Sequence, residues 1–98
     1  MAFMEISIVP IGTAQTSLSQ YVAHLFRLVK ESGLNFQLHD MGTTVQGDID
    51  DLFLLASRMH KALFDYGIQR IYTVIKIDDR RDKKSLLGEK TDAVMEKL

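Results

Sequence analysis

Glu31-Ser32-Gly33-Leu34-Asn35-Phe36-Gln37-Leu38 and Asp65-Tyr66-Gly67-Ile68-Gln69-Arg70-Ile71-Tyr72 carry one pattern twice: a helix end, a glycine, one apolar residue and a strand. Glycine at the end of an apolar-periodic helix supplies the left-handed cap that other residues resist. The chain therefore leaves a helix and enters a strand at two places about 34 residues apart. Upstream, residues 4–11 alternate Ile6 and Ile8 with Glu5 and Ser7, which predicts an opening strand, and Pro10 falls near its end where a missing donor is tolerated. Residues 12–16 read as a turn. Ser17 with Gln20 three residues on forms a capping-box pattern, and Leu18, Val22, Leu25 and Val29 follow at helical spacing as far as Gly33.

Between the two repeats, residues 35–40 alternate with Phe36 and Leu38 inward. Met41-Gly42 is expected to turn the chain into a strand over 43–47, giving a hairpin. Asp48 is placed to cap a second helix with Asp50 and Asp51 in its first turn and a core stripe of Leu52, Phe53, Ala56, Met59 and Leu63 before Gly67. Residues 71–77 form the fourth strand. Two βαβ units with right-handed crossovers place both helices on one face of the sheet. The expected class is α+β, a ferredoxin-like βαββαβ sandwich with a four-stranded antiparallel sheet, two helices on one face and a C-terminal helix. One domain spans residues 1–98, with 78–98 as a charged loop and the terminal helix; Leu87, Val94 and Leu98 would make its narrow apolar stripe, weakened by Gly88.

The second face of the sheet is left uncovered in this scheme. Glu5, Ser7, Asn35, Gln37, His39, Thr44 and Gln46 would line it, with Val9 and Tyr72. Thr44, Gln46 and Asp48 in Met41-Gly42-Thr43-Thr44-Val45-Gln46-Gly47-Asp48 put a hydroxyl, an amide and a carboxylate on one side of a strand. With Ser7 and His39 they are the ligand-binding candidates, and their mostly neutral chemistry suits recognition by hydrogen bonds. Each has a plainer reading: Thr44 suits any strand, Gln46 any solvated surface, and Asp48 a helix cap. A catalytic dyad would need paired titratable groups in a desolvated cleft, and none is visible, so an enzyme is not expected.

Composition narrows the partners. Twelve basic and 13 acidic residues leave a net charge of −1 and no field to gather polyanions, so nucleic acid is not an expected partner. Absence of cysteine removes disulfides and thiol chemistry. His24, His39 and His60 lack ligand spacing, so no metal or cofactor is expected. RNA-recognition modules of this topology stack bases on central-strand aromatics, and residues 4–11 and 43–47 hold none. Acylphosphatases need a basic residue after the first strand, where this chain has Ile11-Gly12-Thr13-Ala14-Gln15. No leader or membrane span is legible, and the expected place is the cytoplasm.

Residues 4–10 (Met-Glu-Ile-Ser-Ile-Val-Pro), the Ser32-Gly33-Leu34 helix end, the 41–48 segment and Lys76-Ile77-Asp78-Asp79-Arg80-Arg81 together make the chain resemble the YkoF-like thiamine-binding family of small ferredoxin-like proteins. The resemblance implies a homo-oligomer, often a tetramer with sheet faces packed together, that binds thiamine or its hydroxymethylpyrimidine part without turning it over. Members of that family commonly resemble Thr-Thr-Val-Glu-Gly-Glu where this chain has Thr43-Thr44-Val45-Gln46-Gly47-Asp48. An amide at 46 keeps hydrogen bonds and loses direct attraction for the thiazolium cation, so weaker thiamine binding or a neutral pyrimidine ligand is expected. The competing reading is a structural module whose polar face serves only as a subunit interface. Either way the wet sheet face and terminal stripe imply a dimer or tetramer.

Overall fold

The computed structural model describes residues 1–13 and 19–98. Its elements are β1 (Ala2–Ile11), α1 (Ser19–Glu31), β2 (Asn35–His39), β3 (Gly42–Gly47), α2 (Ile49–Ala62) with a 3-10 extension (Leu63–Tyr66), β4 (Arg70–Asp78) and α3 (Glu89–Glu96). The strands lie in the order β2-β3-β1-β4, every neighbouring pair antiparallel, which is the ferredoxin-like sheet expected. Ser17, Leu18 and most of the 12–16 turn fall outside the described residues, and the capping-box expectation with them.

The two repeated helix ends fold alike. Gly33 (φ 74°) and Gly67 (φ 79°) both take the left-handed conformation, and the apolar residues after them, Leu34 and Ile68, pack on the core. That core lies between the sheet and the helices. β1 contributes Ala2, Met4 and Ile6, β3 contributes Val45, α1 contributes Tyr21, Leu25 and Val29, and α2 contributes Leu52, Leu55, Ala56 and Met59, with Leu63 just beyond. Leu52, Leu55, Ala56, Met59 and Leu63 follow the i, i+3, i+4, i+7 rule of a helix buried along one stripe. Each fully buried aliphatic stabilises the fold by roughly 1.5–3 kcal/mol relative to exposure.

Three apolar residues expected in the core are outside it. Phe53 is 53% exposed, because it sits about 100° around α2 from Leu52, and Leu55 takes the place assigned to it. Val22 is 42% exposed, since burial of Tyr21 against the edge of the Tyr66 ring turns the α1 stripe toward Tyr21, Leu25 and Val29. Leu38 is 51% exposed at the free end of the edge strand, whereas Phe36, one turn of the pleat earlier, meets Phe26 edge-on at 5.1 Å.

The hairpin turn is Asp40-Met41, and Gly42 already belongs to β3, opposite His39. Gly42 is required by proximity: a Cβ there would lie 2.9 Å from the Ile6 carbonyl oxygen, closer than such contacts allow. β1 begins at Ala2, two residues earlier than expected, and this adds Phe3 to the second sheet face. α3 starts only at Glu89, after Gly88 at φ 93°, so Leu87 precedes the helix and none of the helix's residues is buried.

Truncation separates Leu52 from Phe53. Leu52→Ala is expected to cost about 2–5 kcal/mol in urea denaturation, whereas Phe53→Ala should fall within about 0.5 kcal/mol of the parent. Equal losses would place Phe53 back in the core.

Candidate functional site

Strand register sorts the second sheet face into rows. Glu5 pairs with Thr44 on one side and Lys76 on the other, and Thr44 pairs with Gln37, so Gln37, Thr44, Glu5 and Lys76 stand abreast across all four strands. At the usual strand separation the row spans about 14 Å. The adjoining row is Asn35, Gln46, Phe3 and Asp78. On the other side His39 and Gly42 face each other, and Ser7 pairs with Val74.

Over one end of this face the chain folds back on itself. Residues 85–91 form a roof above the first two rows, correcting the expectation that the whole face is uncovered. Between roof and floor lies a hollow of about 290 Å³, open to solvent, with Glu5, Gln37, His39, Thr44 and Lys76 below and Leu86, Leu87 and Thr91 above, and with Phe3 and Lys90 also in its lining. Lys90 Nζ bonds Asp78 Oδ2 at 2.6 Å and lies 5.9 Å from the centre of the Phe3 ring. Glu5 and Lys76 approach to 3.8 Å with both side chains more than half exposed, a loose pair that leaves the carboxylate accessible.

Of the five candidates, the structure brings Thr44 and His39 together in the hollow. Their side chains are diagonal neighbours, with His39 Nε2 and Thr44 Oγ1 3.1 Å apart. Gln46 is 3% exposed and lies beneath the roof, outside the hollow: its Nε2 donates to the Ser85 carbonyl at 2.8 Å, and its Oε1 accepts from the Leu87 N–H at 3.2 Å. Ser7 belongs to a separate hollow at the sheet end, beside Val22, Phe26 and Met41. Asp48 stands at the start of α2 facing a third, with Arg80, Arg81, Lys83 and Lys84. It occupies the cap position, yet its side chain makes no cap hydrogen bond; the Leu52 N–H bonds its carbonyl instead.

The charge run after β4 folds into local pairs. Arg80 holds Asp82 through two hydrogen bonds and Arg81 holds Asp79. The Arg80 guanidinium keeps the Asp82 carboxyl below the usual carboxylate range, and both arginines are raised by their partners. Among the described residues no group of three His, Asp or Glu is arranged to hold a metal ion, and no helix is long and apolar enough to cross a membrane.

Glu5 and Gln37 stood among the face residues in the sequence but not among the site candidates. Alternation alone gives the face of each strand; the pairing of Glu5 with Thr44 needs the strand order and register. Phe3 and Leu86 left no signal and Leu87 read only as part of the terminal helix stripe, since the roof is a segment about 40 residues from the strand it covers.

The sequence profile of the thiamine-binding protein family matches residues 4–95. The chain is 39% identical over 102 residues to the UPF0045 protein YqgV of Bacillus subtilis, covering all of this chain and 98% of that one. It is 37% identical over 99 residues to a UPF0045 protein of Methanothermobacter thermautotrophicus, with both chains fully covered. A crystal structure of a hypothetical protein from Methanocaldococcus jannaschii superposes with a TM-score of 0.87 at 29% identity, covering 97% of this chain and 96% of that one. A candidate thiamine biosynthesis/salvage protein of Thermotoga maritima, at 16% identity, shares the fold with a TM-score of 0.81 over 95% and 97% of the two chains. With its profile matched over nearly the whole length and relatives close to 40% identical end to end, the chain belongs to the thiamine-binding protein family.

Proposed function

We propose that the protein binds thiamine, or its hydroxymethylpyrimidine part, without turnover, in the hollow between the sheet and residues 85–91, and that it does so as a homo-oligomer. Membership of the family supports the ligand class, and one observation carries the location: the polar row Gln37, Thr44, Glu5 and Lys76 lies under an apolar roof of Leu86 and Leu87. An aminopyrimidine offers a donor and acceptors to an amide and a hydroxyl, which Gln37 and Thr44 supply, while its ring faces suit Phe3 and the leucines. The thiazolium cation needs a carboxylate. Gln46 lacks one, and Glu5 provides it one row away. His39 holds the Thr44 hydroxyl and fixes how it is presented.

Self-association rests on surface chemistry. Beyond the roof, Val9, Ile11, Tyr72 and Val74 remain exposed on the sheet face, as do Val94 and Met95 on α3 and Leu98 after it. Closed symmetric assembly would cover such patches on every copy. The reading as an assembly module without a ligand shares this surface and differs in having no use for the roofed hollow.

Calorimetry with thiamine and with hydroxymethylpyrimidine is the deciding experiment, and absence of heat at millimolar concentrations of both would overturn the ligand reading. Thr44→Val keeps the shape and removes a hydroxyl, with an expected loss of about 1–3 kcal/mol for both ligands. Glu5→Gln should weaken thiamine about two- to fivefold at low salt, with the difference shrinking as salt rises. The neutral pyrimidine should be unaffected by that substitution. Light scattering at micromolar concentration is expected to give a multiple of the 11.1 kDa chain mass, and a monomer would remove the oligomer from the proposal.

A further inference from the structure

Gln46 is a side chain with both ends of its amide in use and almost none of its surface exposed. Its partners are the Ser85 carbonyl and the Leu87 N–H, 39 and 41 residues along the chain. Those backbone groups belong to a segment outside any helix or strand ladder, and buried backbone groups of that kind need a partner. An amide presents a donor and an acceptor at once, which is what a carbonyl and an N–H two residues apart demand; a carboxylate presents acceptors only.

Beyond half-buried Leu87 and the approach of Lys90 to the Phe3 ring, little else holds this segment down. The helix that follows, α3, buries no residue, and Leu86 is 59% exposed. Lys90 with Asp78 is a surface ion pair, both side chains more than half exposed. Gly88 passes over Gln37 closely enough that an added Cβ would lie 3.4 Å from the Gln37 amide nitrogen. Gln46 is thus the buried anchor of residues 85–91, while the hollow that it borders is lined by other side chains.

We propose that Gln46 is the positioning residue of the site: its amide latches the 85–91 roof onto the sheet, and that latch holds Leu86 and Leu87 in place over the hollow. The ligand half of this statement rests on the thiamine reading above, whereas the latch itself does not. A segment fixed by two hydrogen bonds and a surface pair opens far more readily than the sheet beneath it. Gln46 would then govern affinity by setting the closed state of the roof, without touching the ligand.

Hydrogen exchange followed by mass spectrometry on the ligand-free protein tests the latch, with two variants. Gln46→Glu is isosteric and places a carboxylate oxygen against the Ser85 carbonyl. Gln46→Met keeps the volume, removes both bonds and buries no charge, so the test survives if the glutamate variant fails to fold. Exchange over 85–91 should accelerate about tenfold or more, the amount expected from losing two ordinary hydrogen bonds, while β1 and β3 keep their protection. Thiamine should then bind more weakly and dissociate faster. A residue that merely touched ligand would lower affinity and leave exchange in the free protein unchanged, and that result would overturn the proposal, as would parental exchange over 85–91 in Gln46→Met. Faster exchange with parental thiamine affinity would overturn the link between roof and binding. If the parent protein binds no thiamine but 85–91 still opens in the variants, the thiamine reading fails and the latch stands.

Discussion

The register of β1 is the constraint on which the rest depends. β1 is one of the two central strands, bonded to β3 and along nine residues to β4, so its two-residue period is carried to both sides of the sheet. Ala2, Met4 and Ile6 go to the helices while Phe3, Glu5 and Ser7 go to the other face. A shift of one residue would bury Glu5 and expose Met4, which fixes the register strongly wherever one face is packed. The same register puts Glu5 beside Thr44, and it is held in part by Gly42, where a side chain would strike the Ile6 carbonyl.

From that register follows a division of labour between the two faces. The helix side is apolar and closed, and its aromatic pairs meet edge-on at 5.1–5.6 Å, the geometry rings prefer. The other side is graded. At one end a polar row lies beneath the C-terminal segment, and at the other Val9, Ile11, Tyr72 and Val74 are exposed. Of that row Thr44 is half-buried while Gln37, Glu5 and Lys76 keep an exposed surface that a ligand can meet. Among the described residues nothing covers the apolar end in the same way.

Glu5 and Gln46 show how environment assigns roles to similar side chains. Both face the same side of the sheet, in adjacent rows on adjacent strands. Glu5 remains accessible beside a loosely held Lys76 and keeps its charge available. Gln46 is enclosed, and a charge there would face the Ser85 carbonyl; neutrality at 46 fits the roof that covers it. The histidines divide in the same way: His60 reaches Thr73 at 2.8 Å at the helix–sheet boundary, and His24 lies edge-on to Tyr66, while His39 alone adjoins the hollow.

The order of strands and helices, the two glycine caps and the polar character of the second face were all legible in the amino-acid sequence, because periodicity and capping are local and repeat within a few residues. Thr44 and His39 were legible as residues of that polar face for the same reason. The rotation of α1 and α2 was not: Val22 and Phe53 satisfy helical spacing as well as Tyr21 and Leu55 do, and only packing against the sheet chooses between them. Nor was the neighbourhood of Glu5, since strand-to-strand register is a pairing between distant residues. The roof lay furthest from local reading. Its anchor joins Gln46 to backbone groups at Ser85 and Leu87, and backbone groups carry no side-chain signature, so tertiary structure alone decided that Gln46 lies beneath the C-terminal segment and that Thr44 lines the space beside it.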